Sequence, residues 1–288
     1  MVINYSFIIP HHNSPELLLR CLRSIPQRGD VEIIVVDDNS DEDKKPQIER
    51  ADVKLVYVDD EHTKGAGRAR NIGINESEGQ WLLFADADDY YCEGFLDKID
   101  KAIKEDTEVL YFNIYSDVEG ANDRASNCNK IFSNYFKGRA SDEDVRYLVW
   151  GPWNKVISRN FIKNHNLRYE EIPSGNDAFF SFYVAQNVRN CNIIQDRLYC
   201  ITNNPNSITY KVRSVEEEMR ALELSIRIHV FIENNTSCKL KQPVFYSQNL
   251  KNVYNQGGWS SILVYLKYIH KEYSLKKAFM QILQYKTL

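Results

Sequence analysis

Trp81-Leu82-Leu83-Phe84-Ala85-Asp86-Ala87-Asp88-Asp89-Tyr90-Tyr91 is the stretch whose reading decides the fold. Its first half follows Gly79 and is an apolar run of strand length. Its second half places three carboxylates in four positions, Asp86 to Asp89. A buried strand that ends in Asp-x-Asp-Asp puts negative charge at the carboxyl edge of a sheet, where open α/β sheets bind ligands. Carboxylates this close repel one another, and burying them unpaired is costly. Mg²⁺ or Mn²⁺ relieves both problems, because a hard divalent cation prefers oxygen ligands and substrate phosphates. An acidic loop capping a helix near Gly94 would use the same residues, so the stretch alone leaves two readings open.

The flanking sequence repeats the strand signal. Tyr5-Ser6-Phe7-Ile8-Ile9 reads as a first strand stopped by Pro10, and Ser14-Pro15-Glu16 opens a helix with Ser14 as N-cap. Val31–Val36 is almost wholly apolar, as expected of a parallel strand covered on both faces, and runs into Asp37-Asp38-Asn39-Ser40. Val53–Val58 is a third strand, followed by a polar loop from Asp59 to Gly67 and a helix over Arg68–Asn75. Four strands alternating with helices predict βαβ units and a mostly parallel sheet flanked by helices, an α/β fold. Right-handed crossovers would bring Pro10–Asn13, Asp37-Asp38 and Asp86-Ala87-Asp88 to one edge. Further on, strands are expected over Val109–Tyr115 and Asn192–Ile201 and an aromatic helix over Ala178–Gln186, with residues 116–141 as an irregular loop. From Ser214 the pattern is helical, giving a catalytic domain over 1–213 and a helical module over 214–288.

The 288 residues carry a net charge of −4 that is unevenly spread. Residues 239–288 hold eight Lys, no Arg and one acid, so +7 against −11 for the rest. The module could pack on the catalytic domain with a solvated lysine face, or lie peripherally on anionic lipid. The acidic body and the lack of a binding motif speak against nucleic acid. No run approaches the roughly 18 apolar residues of a membrane span. The six cysteines form no Cys-x-x-Cys pair, which suits a reducing cytoplasm and argues against a zinc site or disulfide framework. The N-terminus reads as a strand and not a signal peptide, so a cytoplasmic location is expected.

The ordered set of motifs resembles the inverting family 2 glycosyltransferases of GT-A fold. It comprises Phe7–Asn13, Glu32–Ser40, Gly65–Asn71 and Gly79–Asp89, with weaker matches at Trp153-Asn154-Lys155, Asn176–Phe180 and Asn206–Thr209. The resemblance covers about residues 5–210. It implies transfer of a sugar from a nucleotide-sugar donor, most often a UDP-sugar, to a glycan or lipid-linked acceptor in surface polysaccharide assembly, with Mg²⁺ or Mn²⁺. Asp38 would accept the uracil N3–H, and Pro10, His12 and Asn13 would close around the base. The family usually has an aromatic residue where His12 stands. Only one of His11 and His12 can point inward from an extended chain, so packing or base contact is expected of them in place of metal ligation. Gly67 and Arg70 open a helix whose free amides suit anions, and the resemblance sets Arg70 near the diphosphate. It also implies that Asp86 sits near the ribose and metal and that Asp88 ligates the metal. The family's base lies in a Glu-Asp pair before an aromatic helix, which here reads Asn176-Asp177. Asp177 is therefore the expected base, although the same position suits an N-cap. Trp150, Trp153 and Lys155 could line the sugar or acceptor site, or be core. Two other functions fit parts of the pattern. A sugar-1-phosphate nucleotidyltransferase shares a similar sheet but needs a Gly-rich turn where Pro10–Asn13 stands. A catalytically impaired nucleotide-sugar sensor or scaffold would explain Asn176.

Overall fold

The computed structural model describes residues 2–58, 65–120, 123–203, 212–240 and 242–285. The Asn206–Thr209 match and positions 59–64 of the polar loop lie outside the described residues. The chain divides into two compact units, Met1–Asn204 and Pro205–Leu288.

The first unit is built on one eight-stranded sheet in the order β3-β2-β1-β4-β7-β6-β8-β5. Its strands are β1 (Tyr5–His11), β2 (Val31–Asp38), β3 (Val53–Val58), β4 (Trp81–Phe84), β5 (Tyr90–Tyr91), β6 (Val109–Ser116), β7 (Lys155–Ser158) and β8 (Cys191–Ile201). β1 to β4 are mutually parallel, whereas β7 runs antiparallel to both β4 and β6. β6 and β8 are parallel, and the two-residue β5 closes the edge antiparallel to β8. The register sets His11 beside Asp37 and Ile8 beside Phe84. The turns after β1, β2 and β4 therefore leave the sheet on the same edge.

Pro10 does not stop β1. The Ile8 carbonyl faces β4, where it accepts from the Ala85 N–H at 3.1 Å. Pro10, two residues on, faces the same way, and β4 has ended by then, so its missing N–H costs no ladder bond. Ser14 does stand at the N-cap of α1 (Pro15–Ser24), but its side chain makes no capping bond.

The helices cover both faces. α2 (Ala66–Glu76) lies so tightly on β1 that a Cβ on Gly73 would sit 2.3 Å from Ile8 Cγ2. α3 (Phe95–Ala102) brings Phe95 against Phe7 and Tyr91, with Phe7 edge-on to both rings at 5.8 and 5.4 Å. Gly94 before it is left-handed (φ 68) and no side chain caps the helix, so the acidic loop is not a cap for α3. The 116–141 segment is not an irregular loop. It contains α4 (Ser126–Phe136), which packs on β6 and whose buried Cys128 and Phe132 continue the helical spacing of the buried N-cap residue Ala125. α5 (Asp142–Leu148), α6 (Arg159–Asn164) and α7 (Asp177–Asn187) complete the unit.

The second unit contains α8 (Val215–Asn235), α9 (Ser247–Glu272, kinked at Gly258) and α10 (Leu275–Tyr285). Ser214 and Glu217 form a capping box that starts α8. Leu222, Ile226, Phe245, Val253, Tyr265 and Ile269 form its core. No described helix is long and apolar enough to cross a membrane.

The close approach at Gly73 makes a direct test of the packing. Gly73→Ala gains up to about 1 kcal/mol of helix propensity but drives a methyl into a buried β-branched side chain, a strain of about 1–3 kcal/mol. We expect a net fall in stability of about 1–2 kcal/mol, read by urea denaturation. An unchanged or raised midpoint would mean that α2 does not rest on β1.

Candidate donor and acceptor site

Three turns at the carboxyl edge are stitched to one another before any ligand is considered. The His11 ring is fully buried, and its Nε2 accepts the Ser14 N–H at 3.2 Å. The proton therefore resides on Nδ1, which donates to Asp37 Oδ1 at 2.6 Å. Ser40 Oγ donates to the same oxygen at 2.6 Å and accepts the Asn13 N–H at 2.9 Å. Asn13 and Asn39 both adopt left-handed backbone, φ 53 and 59, which asparagine tolerates well. Asn13 Oδ1 takes the Asp41 N–H at 2.8 Å, closing the two turns on each other. Of the two histidines it is His11 that points inward. His12 is exposed, with Nδ1 donating to the Asp38 carbonyl at 2.9 Å. Asp38 is nearly buried, and its Oδ2 accepts the Gly65 N–H at 2.6 Å just before α2. His12 thus bonds to Asp38 and lies against Asn13 at the carboxyl edge, with Pro10 in register beside Val36.

Arg70 is the junction of the site. It is buried in α2, with Nη2 on Asp86 Oδ1 at 2.5 Å and Nη1 on Asn176 Oδ1 at 2.7 Å. Its guanidinium lies 5.3 Å from the Tyr169 ring centroid, and Tyr169 is itself stacked on Phe180 at 3.9 Å. Gly67 lets this happen, because a Cβ there would lie 2.2 Å from the Glu170 carbonyl oxygen. Asn71 fixes the same segment, donating to the Tyr169 carbonyl at 3.0 Å and accepting the Tyr169 N–H at 2.8 Å. The structure brings Arg70, Asp86, Asn176 and Asp177 together from β4's end, α2 and α7.

The acidic turn is held from behind. The Asp86 N–H donates to Tyr199 Oη at 2.9 Å, and that hydroxyl donates on to Asp89 Oδ2 at 3.1 Å. Asp89 also accepts the Thr202 N–H at 2.8 Å. The Asp88 carbonyl accepts from the Arg20 guanidinium and from Thr202 Oγ1. Burial, reinforced by the charges of Asp86 and Asp88, pushes the Asp89 carboxyl well above the usual carboxylate range. Asp89 is therefore a structural anchor, and Asp86 and Asp88 remain half-buried at the open edge. Among the described residues no three His, Cys, Asp or Glu side chains are grouped to cage a metal. Two hard carboxylates at an open edge suit Mg²⁺ or Mn²⁺, which complete their shells with substrate phosphates and water.

Asp177 is the first residue of α7, with Asn176 at the N-cap and no side-chain capping bond. Asn176, not Asp177, therefore holds the N-cap position, and Asn176 spends its amide oxygen on Arg70. Burial raises the Asp177 pKa, Arg70 and Lys155 pull it down, and Asp86 adds to the rise. Trp150, Trp153 and Lys155 do not line an open surface as a group. Trp153 lies flat on Tyr199 at 5.7 Å, Trp150 meets Phe182 edge-on, and Lys155 is 1% exposed. Arg20, Tyr169, Tyr199 and Thr202 were not legible as site residues. Arg20 comes from α1, Tyr169 from the segment before α7, and Tyr199 and Thr202 from β8 and the residue after it, and no local pattern marks them.

The family pattern for "Glycosyl transferase family 2" matches residues 6–164. EpsH of Bacillus subtilis (strain 168) is 25% identical over 211 residues, covering 67% of this chain and 59% of that protein. A Campylobacter jejuni GalNAc(5)-diNAcBac-PP-undecaprenol beta-1,3-glucosyltransferase is 26% identical over 270 residues, covering 86% and 84%. TarS of Staphylococcus aureus (strain MW2) is 24% identical over 209 residues, and the match spans only 35% of its length. The crystal structure of S. aureus TarS 1–349 with UDP-GlcNAc superposes with a TM-score of 0.62 at 18% identity, covering 94% of this chain and 81% of that one. A Pyrobaculum calidifontis mannosyltransferase in complex with GDP-Man and Mn²⁺ gives 0.53 at 12% identity, covering 96% and 78%. These likenesses establish the fold as GT-A. Asp177 lies beyond the segment matched by the family pattern, whereas Asp38, Arg70, Asp86 and Asp88 lie within it. That pattern spans more than half of the sequence, and the chain belongs to glycosyl transferase family 2.

Proposed function

We propose that the chain transfers a sugar from a UDP-sugar to a glycan or lipid-linked acceptor with inversion at the anomeric carbon. One observation carries the reading. Arg70 ties Asp86, on the acidic turn, to Asn176 beside Asp177, so a diphosphate-facing edge and a candidate base share one wall. The donor class is supported by the UDP-GlcNAc bound in the TarS complex, and the acceptor class by the undecaprenol-linked substrate in the name of the C. jejuni relative. On this reading Asp38 accepts the uracil N3–H through the oxygen not taken by Gly65, and the His12–Asn13 turn borders the base. Asp86 and Asp88 would hold a divalent cation, which supplies charge neutralisation at the departing diphosphate.

The displacement itself needs one base. The acceptor oxygen bonds to the anomeric carbon as the bond from that carbon to the UDP oxygen breaks, the electron pair leaves with UDP, and the acceptor proton passes to the Asp177 carboxylate. A carboxylate raised by burial is a better base than a solvated one, because its affinity for the proton is higher. It must be ionised to act, so kcat should fall as pH drops through a value above the usual carboxylate range. Glu170 and Glu171 lie on the segment before α7, but Glu171 already accepts from Asn71 at 3.1 Å.

Asp177→Asn tests the base. We expect unchanged melting and UDP-sugar binding with transfer reduced by roughly 10²–10⁴-fold. Transfer at the wild-type rate would sink the role. A wild-type chain that binds UDP-sugar but neither transfers nor slowly hydrolyses it would instead favour the sensor.

Asp88→Ala tests the cation. UDP binding measured by calorimetry in Mn²⁺ should weaken, and most of the difference made by EDTA should vanish. A mutant with full metal dependence would place the cation elsewhere.

The second unit fits an anionic membrane surface that presents a lipid-linked acceptor. Trp259, Leu263 and Val264 on α9 are 71%, 57% and 57% exposed, beside exposed Lys267 and Lys271. Vesicles rich in phosphatidylglycerol should co-sediment the chain at low salt, neutral vesicles should not, and Leu263→Glu should abolish binding. Added salt should weaken it, since exposed charges are screened beyond about 8–10 Å at physiological ionic strength. No binding to acidic vesicles at low salt refutes the membrane role, and a shift from dimer to monomer in Leu263→Glu would assign the face to a second copy.

A further inference from the structure

Lys155 is a buried cation for which the reaction above has no use. Its ammonium donates to the Val149 carbonyl at 2.9 Å, the Gly151 carbonyl at 2.6 Å and Asn154 Oδ1 at 2.9 Å. An ammonium has three N–H donors, and all three are spent within six residues of its own chain. The Tyr111 ring covers it at 5.6 Å. A neutral amine could satisfy only two of these acceptors, so the cage is built for the charged form.

The bend that the ammonium gathers, residues 149–154, reaches both halves of the site. The Trp150 carbonyl accepts from Ser181 Oγ of α7 at 2.6 Å, one turn beyond Asp177. Trp153 lies parallel to Tyr199, 9° between the planes, and Tyr199 Oη holds the Asp86 N–H and Asp89. Gly151 packs directly on Trp153, since a Cβ on Gly151 would sit 2.6 Å from the indole. A path of packed groups therefore runs from Lys155 through Trp153 and Tyr199 to Asp86, and another through Trp150 and Ser181 to α7.

Resting on the transferase reading, we infer that Lys155 is a positioning residue: its caged ammonium locks the 149–154 bend, which sets α7 with Asp177 against the acidic turn, and places a buried positive charge beside Asp177. The charged and titratable groups facing Asp177 are Arg70 from α2, Asp86 from the acidic turn, Lys155 from β7 and Tyr169 from the segment before α7. Those facing Lys155 are Asp177, Cys128 and the Tyr111 ring. Burial pulls the Lys155 ammonium down to about 7, and the charge of Asp177 opposes that fall.

Lys155→Met keeps the length of the stem and removes the charge and donors. We expect UDP binding within about threefold of wild type, with kcat down roughly 10–100-fold, the scale of an ångström-level misplacement of reacting groups. The Asp177 carboxyl, followed by ¹³C NMR in aspartate-labelled protein without substrate, should titrate at higher pH in Lys155→Met than in wild type. A purely structural lysine would leave that titration unmoved. Wild-type kcat together with an unmoved Asp177 overturns the inference while the transferase reading stands. A wild-type chain that transfers no sugar, but in which the Asp177 titration moves as stated, overturns the transferase reading and keeps the link between Lys155 and Asp177. If Lys155→Met does not fold, Ser181→Ala replaces it. That change cuts the bend from α7 and leaves the cage intact, and a fall in kcat of the same order with unchanged UDP binding supports the inference, whereas wild-type kcat overturns it.

Discussion

A guanidinium buried where three chain segments meet fixes the geometry on which everything else in the site depends. Arg70 cannot be solvated, and burying a charge without partners is prohibitive. It is stable there because Asp86, Asn176 and the Tyr169 face surround it. The requirement is reciprocal. Asp86 loses its counter-ion if Arg70 moves, and Asn176 loses its bond to α2. Gly67 and Asn71, one turn apart on the same helix, serve the same junction by admitting the Glu170 carbonyl and pairing with the Tyr169 backbone. A buried pair of this kind need not add stability. What it adds here is a single permitted arrangement of α2, the acidic turn and the start of α7.

The acidic turn faces the opposite problem, an excess of like charge. Three carboxylates in four positions would repel one another if all were ionised and dry. The fold separates them by environment. Asp89 turns inward, where burial favours its neutral form and Tyr199 and the Thr202 amide occupy its oxygens. Asp86 is matched by Arg70. Asp88 stays at the open edge with its backbone carbonyl pinned by Arg20 and Thr202. The result is a turn that is held at the back and negative at the front, a polarity that would suit a divalent cation held by Asp86 and Asp88.

The parallel half of the sheet was legible because each of its strands is a short apolar run closed by polar turn residues, and right-handed crossovers leave little choice about which ends meet. What escaped has identifiable causes. β5 is two residues long and owes its existence to pairing with Tyr199 and Cys200, far away in sequence. The reversed direction of β7 is a tertiary outcome with no local mark. α4 was hidden because its apolar positions are few and set among Ser, Asn and Lys. In the site, strand-end and helix-start positions marked Asp37-Asp38, Gly67–Asn71 and Asp86-Ala87-Asp88, and the family resemblance singled out Asp38, Arg70, Asp86 and Asp88 among them. Arg20, Tyr199 and Thr202 could not, since an arginine, a tyrosine and a threonine that hold a turn from behind look like any others. Lys155 was visible as a motif, yet an aqueous site was the wrong setting for it, and only the three acceptors around its ammonium reveal what the residue does.

Asn176 raises the last question, because the resembling family carries an acid there and this chain does not. The position has two separable properties, an oxygen that accepts from Arg70 and a negative charge. Asparagine keeps the first, at 2.7 Å, and discards the second. The discarded charge would have stood beside Asp86 and next to Asp177, whose pKa burial and Asp86 already raise. A second carboxylate would raise Asp177 further and so reduce the ionised fraction of the proposed base. It would also compete with Asp86 for the single guanidinium. A neutral acceptor holds the same bond without either cost. The substitution is therefore compatible with a working base, and the missing acid gives no reason to read the chain as an inactive sensor.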